Sequence, residues 1–75
     1  MEKSFINLFK GTLEIEDREL NLNDVFRDYP EWNSLMYLSV ISMIDEEYDI
    51  TIEGNDFRKL RTISDLVEEI KKRTT

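Results

Sequence analysis

Ser34 is the side chain best placed to do chemistry. It stands in Glu31-Trp32-Asn33-Ser34-Leu35, directly ahead of apolar residues at helical spacing, so its hydroxyl falls in the first turn of a helix. A serine there faces solvent beside backbone N–H groups that lack intrahelical partners, at the positive end of the helix dipole. That position suits a phosphate ester. It does not suit nucleophilic catalysis, because the chain has no histidine to take the hydroxyl proton. Cysteine is absent too, so neither a disulfide nor a thiolate metal site supports the fold, and any sulfur chemistry must come from an added group. The plain structural alternative is that Ser34 only belongs to a capping region, with Asn33 as the N-cap.

Two further features invite a chemical reading. Asp49 to Leu60 has an aspartate first and Gly54 at the sixth place, as a calcium loop does, but Leu60 holds the twelfth place, where a bidentate glutamate is needed. No metal site is expected, although Asp45, Glu46, Glu47 and Asp49 could gather cations loosely to relieve their repulsion. Trp32 could stack on a ligand, but a single aromatic ahead of a helix more often packs against the first turn.

The elements that hold Ser34 can be read from periodicity. Phe5, Leu8, Phe9 and Leu13 form one apolar stripe on a first helix, whose end is ambiguous because Gly11 could terminate it or lie inside it. Glu14 to Asp24 reads as a long loop anchored by Leu20 and Leu22. Tyr29-Pro30 then turns the chain before the second helix. In that helix Leu35, Leu38, Val40, Ile41, Met43 and Ile44 cover more than one face, which marks it as the most buried of the bundle. Asp49 to Ile52 alternates like a strand but has no partner, so an extended connection burying Ile50 and Ile52 is expected. A short helix over Asn55 to Leu60 follows. The last helix opens at Thr62 with Asp65 three residues on, carries Ile63, Leu66, Val67 and Ile70, and ends in Lys71-Lys72-Arg73, which suit its negative end. The expected architecture is all-α, an irregular four-helix bundle of three main helices and one short one, in a single domain over residues 1–75.

Composition narrows the partners. The 75 residues carry a formal charge of −7, which repels nucleic acid and anionic membrane surfaces and favours proteins rich in Lys and Arg. No apolar run approaches the ~20 residues needed to span a bilayer. A cytoplasmic monomer is expected, with neither nucleic-acid nor membrane partners.

Taken together, Glu31-Trp32-Asn33-Ser34-Leu35, the apolar helix, Asp45-Glu46-Glu47-Tyr48-Asp49-Ile50 and Thr62-Ile63-Ser64-Asp65-Leu66 resemble the acyl carrier protein family. That family includes free-standing carriers of peptide, polyketide and surface-polysaccharide pathways. The resemblance runs from about Leu20 to Ile70. It implies that Ser34 receives 4′-phosphopantetheine from coenzyme A, through a phosphopantetheinyl transferase, and that Asn33 and Leu35 flank the cofactor. Asn33 stands where the family has aspartate in an Asp-Ser-Leu triplet. That aspartate helps the transferase bind metal and coenzyme A.

The implied function is non-catalytic: an acyl or aminoacyl cargo rides as a thioester on the arm and passes among loading and downstream biosynthetic enzymes. Leu35, Leu38, Ile41, Ile52, Phe57 and Ile63 are the candidates to border a cargo cleft, and Met36, Tyr37, Asp45 and Glu46 the candidates to meet partners. Fatty-acid carriers have acidic residues soon after the triplet, whereas Met36, Tyr37 and Ser39 stand here, which favours a specialised pathway. The competing readings are an unmodified acidic adaptor or inhibitor of a basic protein, and a small hydrolase with paired carboxylates.

Overall fold

The computed structural model describes residues 1–74. Four α-helices follow one another: α1, Glu2–Thr12; α2, Ser34–Tyr48; α3, Gly54–Phe57; and α4, Ile63–Thr74. A 3₁₀ turn, Phe26–Asp28, interrupts the long connection between α1 and α2. No strand forms among the described residues, and the extended chain contributes only an isolated antiparallel bridge between Val25 and Thr62. This is the expected all-α, irregular four-helix bundle.

The end of α1 is set by the chain beyond Gly11, which lies inside the helix. Glu14 adopts a left-handed φ of 57°. Its amide reaches the Gly11 carbonyl at 3.1 Å, and the Ile15 amide reaches the Lys10 carbonyl at 3.0 Å. This paired closure satisfies two carbonyls that the helix end would otherwise expose. It also turns Ile15 into the core, where Phe5, Phe9 and Leu13 already lie.

The expectation that α2 is the most buried helix is wrong. Only Val40 and Ile44 of α2 are fully enclosed, whereas α4 encloses Ile63, Leu66, Val67 and Ile70. Leu35 and Leu38 are 65% and 58% exposed. The apolar residues of α2 spread over more than one face because one face meets α1 and the core while another faces solvent.

The connection ahead of α2 is held by specific bonds. Arg18 forms a two-pronged pair with Glu31, at 2.7 and 3.1 Å, and lies over the Tyr29 ring at 5.2 Å. Tyr29 donates its hydroxyl to Asp24 at 2.7 Å. The Asp24 and Leu22 carbonyls accept the Ile63 and Ser64 amides at 3.1 and 2.8 Å, so the loop satisfies the first turn of α4. Thr62 and Asp65 cap that turn reciprocally: the Asp65 amide donates to Thr62 Oγ1, and the Asp65 carboxylate accepts from the Thr62 and Arg61 amides. Ile50 and Ile52 are buried as expected from the extended connection.

Candidate functional site at the head of the second helix

Ser34 is the first residue of α2 and is exposed. The helix starts there because Asn33 is extended, at φ −160°, and its Oδ1 accepts the Met36 amide at 2.9 Å. The Asn33 carbonyl takes the Tyr37 amide at 3.0 Å, the first bond of the helical ladder. Behind Asn33, the Trp32 amide donates to the Tyr29 carbonyl at 3.0 Å, and Glu31 is fixed by Arg18. The Arg18 guanidinium bonded to Glu31 holds that carboxyl below the usual carboxylate range. The segment entering α2 is therefore fixed at three successive residues.

Ser34 borders a surface groove of about 480 Å³. Trp32, Tyr37 and Phe57 form its aromatic wall, and Gly54 lies at its edge. The rings are mutually packed: Trp32 stacks on Phe57 at 6.1 Å, and Tyr37 meets Phe57 edge-on at 5.0 Å. Phe26 supports the wall from the core, 4.8 Å from Trp32 and 5.8 Å from Phe57. Trp32 thus packs on the core and lines the groove at once.

The charged residues of this groove are Arg27 and Arg58. Arg27 is pinned, donating from Nε to the Leu60 carbonyl at 3.0 Å and from Nη2 to the Phe57 carbonyl at 2.7 Å. Its guanidinium also sits 5.1 and 5.2 Å from the Phe26 and Phe57 ring centres. Those bonds tie Arg27 to the last residue of α3 and to the connection that follows it, where the Phe57 carbonyl also accepts the Leu60 amide at 3.0 Å.

The structure brings only part of the expected site together. Ser34, Asn33 and Tyr37 share the groove. Leu35 points into solvent beside it, and Met36 is half-buried against the core. Asp45 and Glu46 lie three turns along α2, about 17–18 Å from Ser34 at the usual helical rise, and Glu46 borders a separate groove with Leu38, Ser39 and Ser42. Of the residues expected to border a cargo cleft, Phe57 alone lines the groove at Ser34. Ile52 and Ile63 are buried in the core, Ile41 is half-buried against it, and Leu35 and Leu38 are exposed, so those five form no common cleft. Sequence reasoning missed Arg27 and Arg58. Nothing local marks them, because the partners of Arg27 lie 30 and 33 residues away.

A phosphate ester on Ser34 fits these surroundings in three respects. The hydroxyl is accessible, the amides of the first helical turn are at hand, and the groove beside it is lined by arginines without a carboxylate. Among the described residues no group of acidic, histidine or cysteine side chains could hold a metal ion, and no helix is long and apolar enough to cross a membrane.

Comparison with known proteins agrees with this geometry. The family model described as "Phosphopantetheine attachment site" matches residues 3–70. The fold is similar to the solution structure of a holo acyl carrier protein from Geobacter metallireducens, with a TM-score of 0.82 and 20% identity over 95% of this chain and 82% of that one. It is also similar to a structure described as an acyl carrier protein from Mycobacterium tuberculosis, with a TM-score of 0.83 and 24% identity over 96% of each chain.

Proposed function

The chain belongs to the phosphopantetheine-attachment family, whose members are non-catalytic carriers with covalently bound 4′-phosphopantetheine, and we propose that Ser34 is the residue that bears the arm. The observation that carries this reading is the exposed Ser34 hydroxyl on the first residue of α2. Asn33 fixes the helix start, which sets where the Ser34 side chain leaves the backbone. The amides of Ser34 and Leu35, which a helix start leaves unpaired, stabilise a neighbouring negative charge. The arm supplies a terminal thiol, which holds an acyl cargo as a thioester. The protein's own residues do no bond chemistry on that cargo; they position the attachment point and offer a surface to the transferase and the biosynthetic enzymes.

The same reading extends to the pathway. The first turn of α2 contains no acidic residue, and Leu35 and Leu38 expose apolar surface close to Ser34. Enzymes that meet this helix face therefore need an apolar contact near the attachment point, with basic groups placed further along to meet Asp45 and Glu46. Such a requirement suits a specialised biosynthetic pathway better than bulk fatty-acid synthesis.

The test is intact mass after incubation with coenzyme A and a broad-specificity phosphopantetheinyl transferase. The wild-type chain gains the mass of a single arm, and Ser34→Ala gains none. An unchanged wild-type mass, which an unmodified acidic adaptor would show, overturns the proposal. So does an undiminished gain in the Ser34→Ala protein.

A further inference from the structure

We propose that the groove beside Ser34 is a docking site for the arm itself, with Arg58 and the free edge of Arg27 meeting its phosphodiester and the half-buried Trp32 and Tyr37 rings, backed by the enclosed Phe57, taking the apolar pantoyl part. This rests on Ser34 as the attachment residue. It adds that the resting arm lies against the protein at the α2–α3 face instead of sampling solvent.

Charge is the first ground. The chain has 17 acidic and 10 basic residues, yet the groove at Ser34 is lined by arginines and by no carboxylate. Two other grooves each carry two carboxylates, Glu46 with Glu47 in one and, beside Lys59, Lys72 and Arg73, Asp56 with Glu69 in the other. An acid-free arginine site in so acidic a protein favours an anion. The phosphodiester on Ser34 Oγ is a permanent anion generated at the rim of that groove.

Arginine availability is the second ground. Arg58 is exposed and makes no ion pair among the described residues, in contrast to Arg18 and Arg73, which are engaged with carboxylates. Arg27 is held in place by two backbone carbonyls, and neither bond uses Nη1. A guanidinium fixed before binding loses little side-chain freedom when it meets a phosphate oxygen, and its planar fork matches the phosphate group.

The apolar wall is the third ground. Trp32 and Tyr37 are half-buried, and their rings, with that of Phe57, are locked by mutual packing. A preformed aromatic wall next to the attachment point gives the gem-dimethyl group of the pantoyl unit a surface to cover. It also places the single tryptophan of the chain against the docked arm.

The experiment converts the apo protein fully to the unloaded holo form and establishes, by intact mass with Ser34→Ala as the unmodified control, that the arm is on Ser34. Absence of that gain refutes the attachment reading and docking with it, whereas measurements on the verified holo protein bear on docking alone. On that holo protein, Trp32 emission and its quenching by acrylamide are compared with apo, and the ³¹P resonance of the phosphodiester is recorded. Docking shifts the emission, lowers the quenching constant and gives a ³¹P resonance that moves in Arg58→Gln, where the quenching constant returns towards the apo value. Lys59→Gln removes a neighbouring cation that does not line the groove and leaves all three signals at wild-type holo values. Arg58 is exposed, so its replacement does not threaten the fold. Full arm attachment with Trp32 quenching unchanged from apo overturns the proposal, as do equal ³¹P shifts in the Arg58→Gln and Lys59→Gln proteins.

Discussion

Trp32 and Phe57 lie almost parallel, with 5° between their planes and 6.1 Å between their centroids. The pair joins the segment that enters α2 to the short helix α3, so the groove at Ser34 has a wall built from residues well separated along the chain. Phe57 is 1% exposed and also contacts the Phe26 and Tyr37 rings.

Truncating Phe57 removes the centre of this aromatic wall. Phe57→Ala should cost ~3–5 kcal/mol, the usual range for a fully buried phenylalanine. Against a total stability of order 5–15 kcal/mol for a domain, that brings the protein close to unfolding. Urea melts followed by Trp32 emission measure the loss, and Phe57→Leu should retain more of the stability. A midpoint for Phe57→Ala equal to wild type would remove the ring from the core.

Asn33 bears on both stability and modification. Its Oδ1 caps α2 through the Met36 amide at 2.9 Å, so Asn33→Ala should lose ~1 kcal/mol. Asn33→Asp keeps the acceptor and places a negative charge at the positive helix end, so stability should be maintained. It also restores the Asp-Ser-Leu triplet, and arm transfer should run faster. Time courses with several transferases decide the second point; identical rates would make the asparagine functionally silent.

The capping box of α4 supplies a pH dependence. Hydrogen bonds from the Arg61 and then the Thr62 amide hold the Asp65 carboxyl below the usual aspartate range. The folded pKa lies under the unfolded one, so the contribution is fully present above about pH 3.9, the unfolded aspartate value, and is lost as pH falls through the lower folded value. Glu2, bonded to Lys71, and Glu31, bonded to Arg18, are shifted the same way and add to the slope. Asp65→Asn should be less stable at neutral pH and should lose less stability on acidification than wild type. Thermal melts from pH 7 to pH 3 compare the two, and parallel curves would exclude Asp65 as a contributor.

The far end of α2 predicts a salt response. Asp45, Glu46, Glu47 and Asp49 are exposed and make no ion pair among the described residues, and they crowd the negative end of the helix dipole. Asp49 also takes a left-handed φ of 58° to end the helix. Added salt screens this repulsion within a Debye length of roughly 10 Å at 0.1 M, so Tm should rise with ionic strength or millimolar divalent cation. Glu46→Lys should raise Tm at low salt and flatten that rise. A Tm insensitive to salt in wild type would mean that the four carboxylates do not strain the helix end.

What the sequence made legible is what local chemistry decides. Thr62 and Asp65 sit at capping-box spacing, Asn33 and Ser34 at a helix start, and Ile63, Leu66, Val67 and Ile70 at a helical period, and each lies where its spacing implies. The end of α1 was not legible at Gly11, because the turn is closed by Glu14 and Ile15, residues with no particular preference for it. The exposure of Leu35 and Leu38 was hidden for a different reason: apolar residues on a helix do not say which face a partner protein will cover. Arg27 was illegible because its partners are main-chain carbonyls, which every residue possesses.

The helix face beyond Ser34 carries the last prediction, which concerns partner choice. Charge on the first two turns of this helix would steer a basic enzyme surface towards the attachment point, and its effect on association falls off with distance and salt. Here those turns offer Leu35, Leu38 and Ser39, with Met36 and Tyr37 half-buried against the core, and the nearest carboxylates on the helix are Asp45 and Glu46. A fatty-acid synthase enzyme that relies on acidic residues beside the serine should therefore encounter the protein slowly. The Met36→Asp, Ser39→Glu variant places two carboxylates on those turns, and since neither residue is fully buried the fold should tolerate them. Pantetheinylated wild type and variant are offered to a malonyl-transferring enzyme of bacterial fatty-acid synthesis, and loading is followed by mass at several salt concentrations. The variant should load faster, and its advantage should shrink as salt rises. Wild-type loading as efficient as that of a fatty-acid carrier would remove the case for a specialised pathway. A gain that persists unchanged at high salt would show that something other than charge had improved the contact.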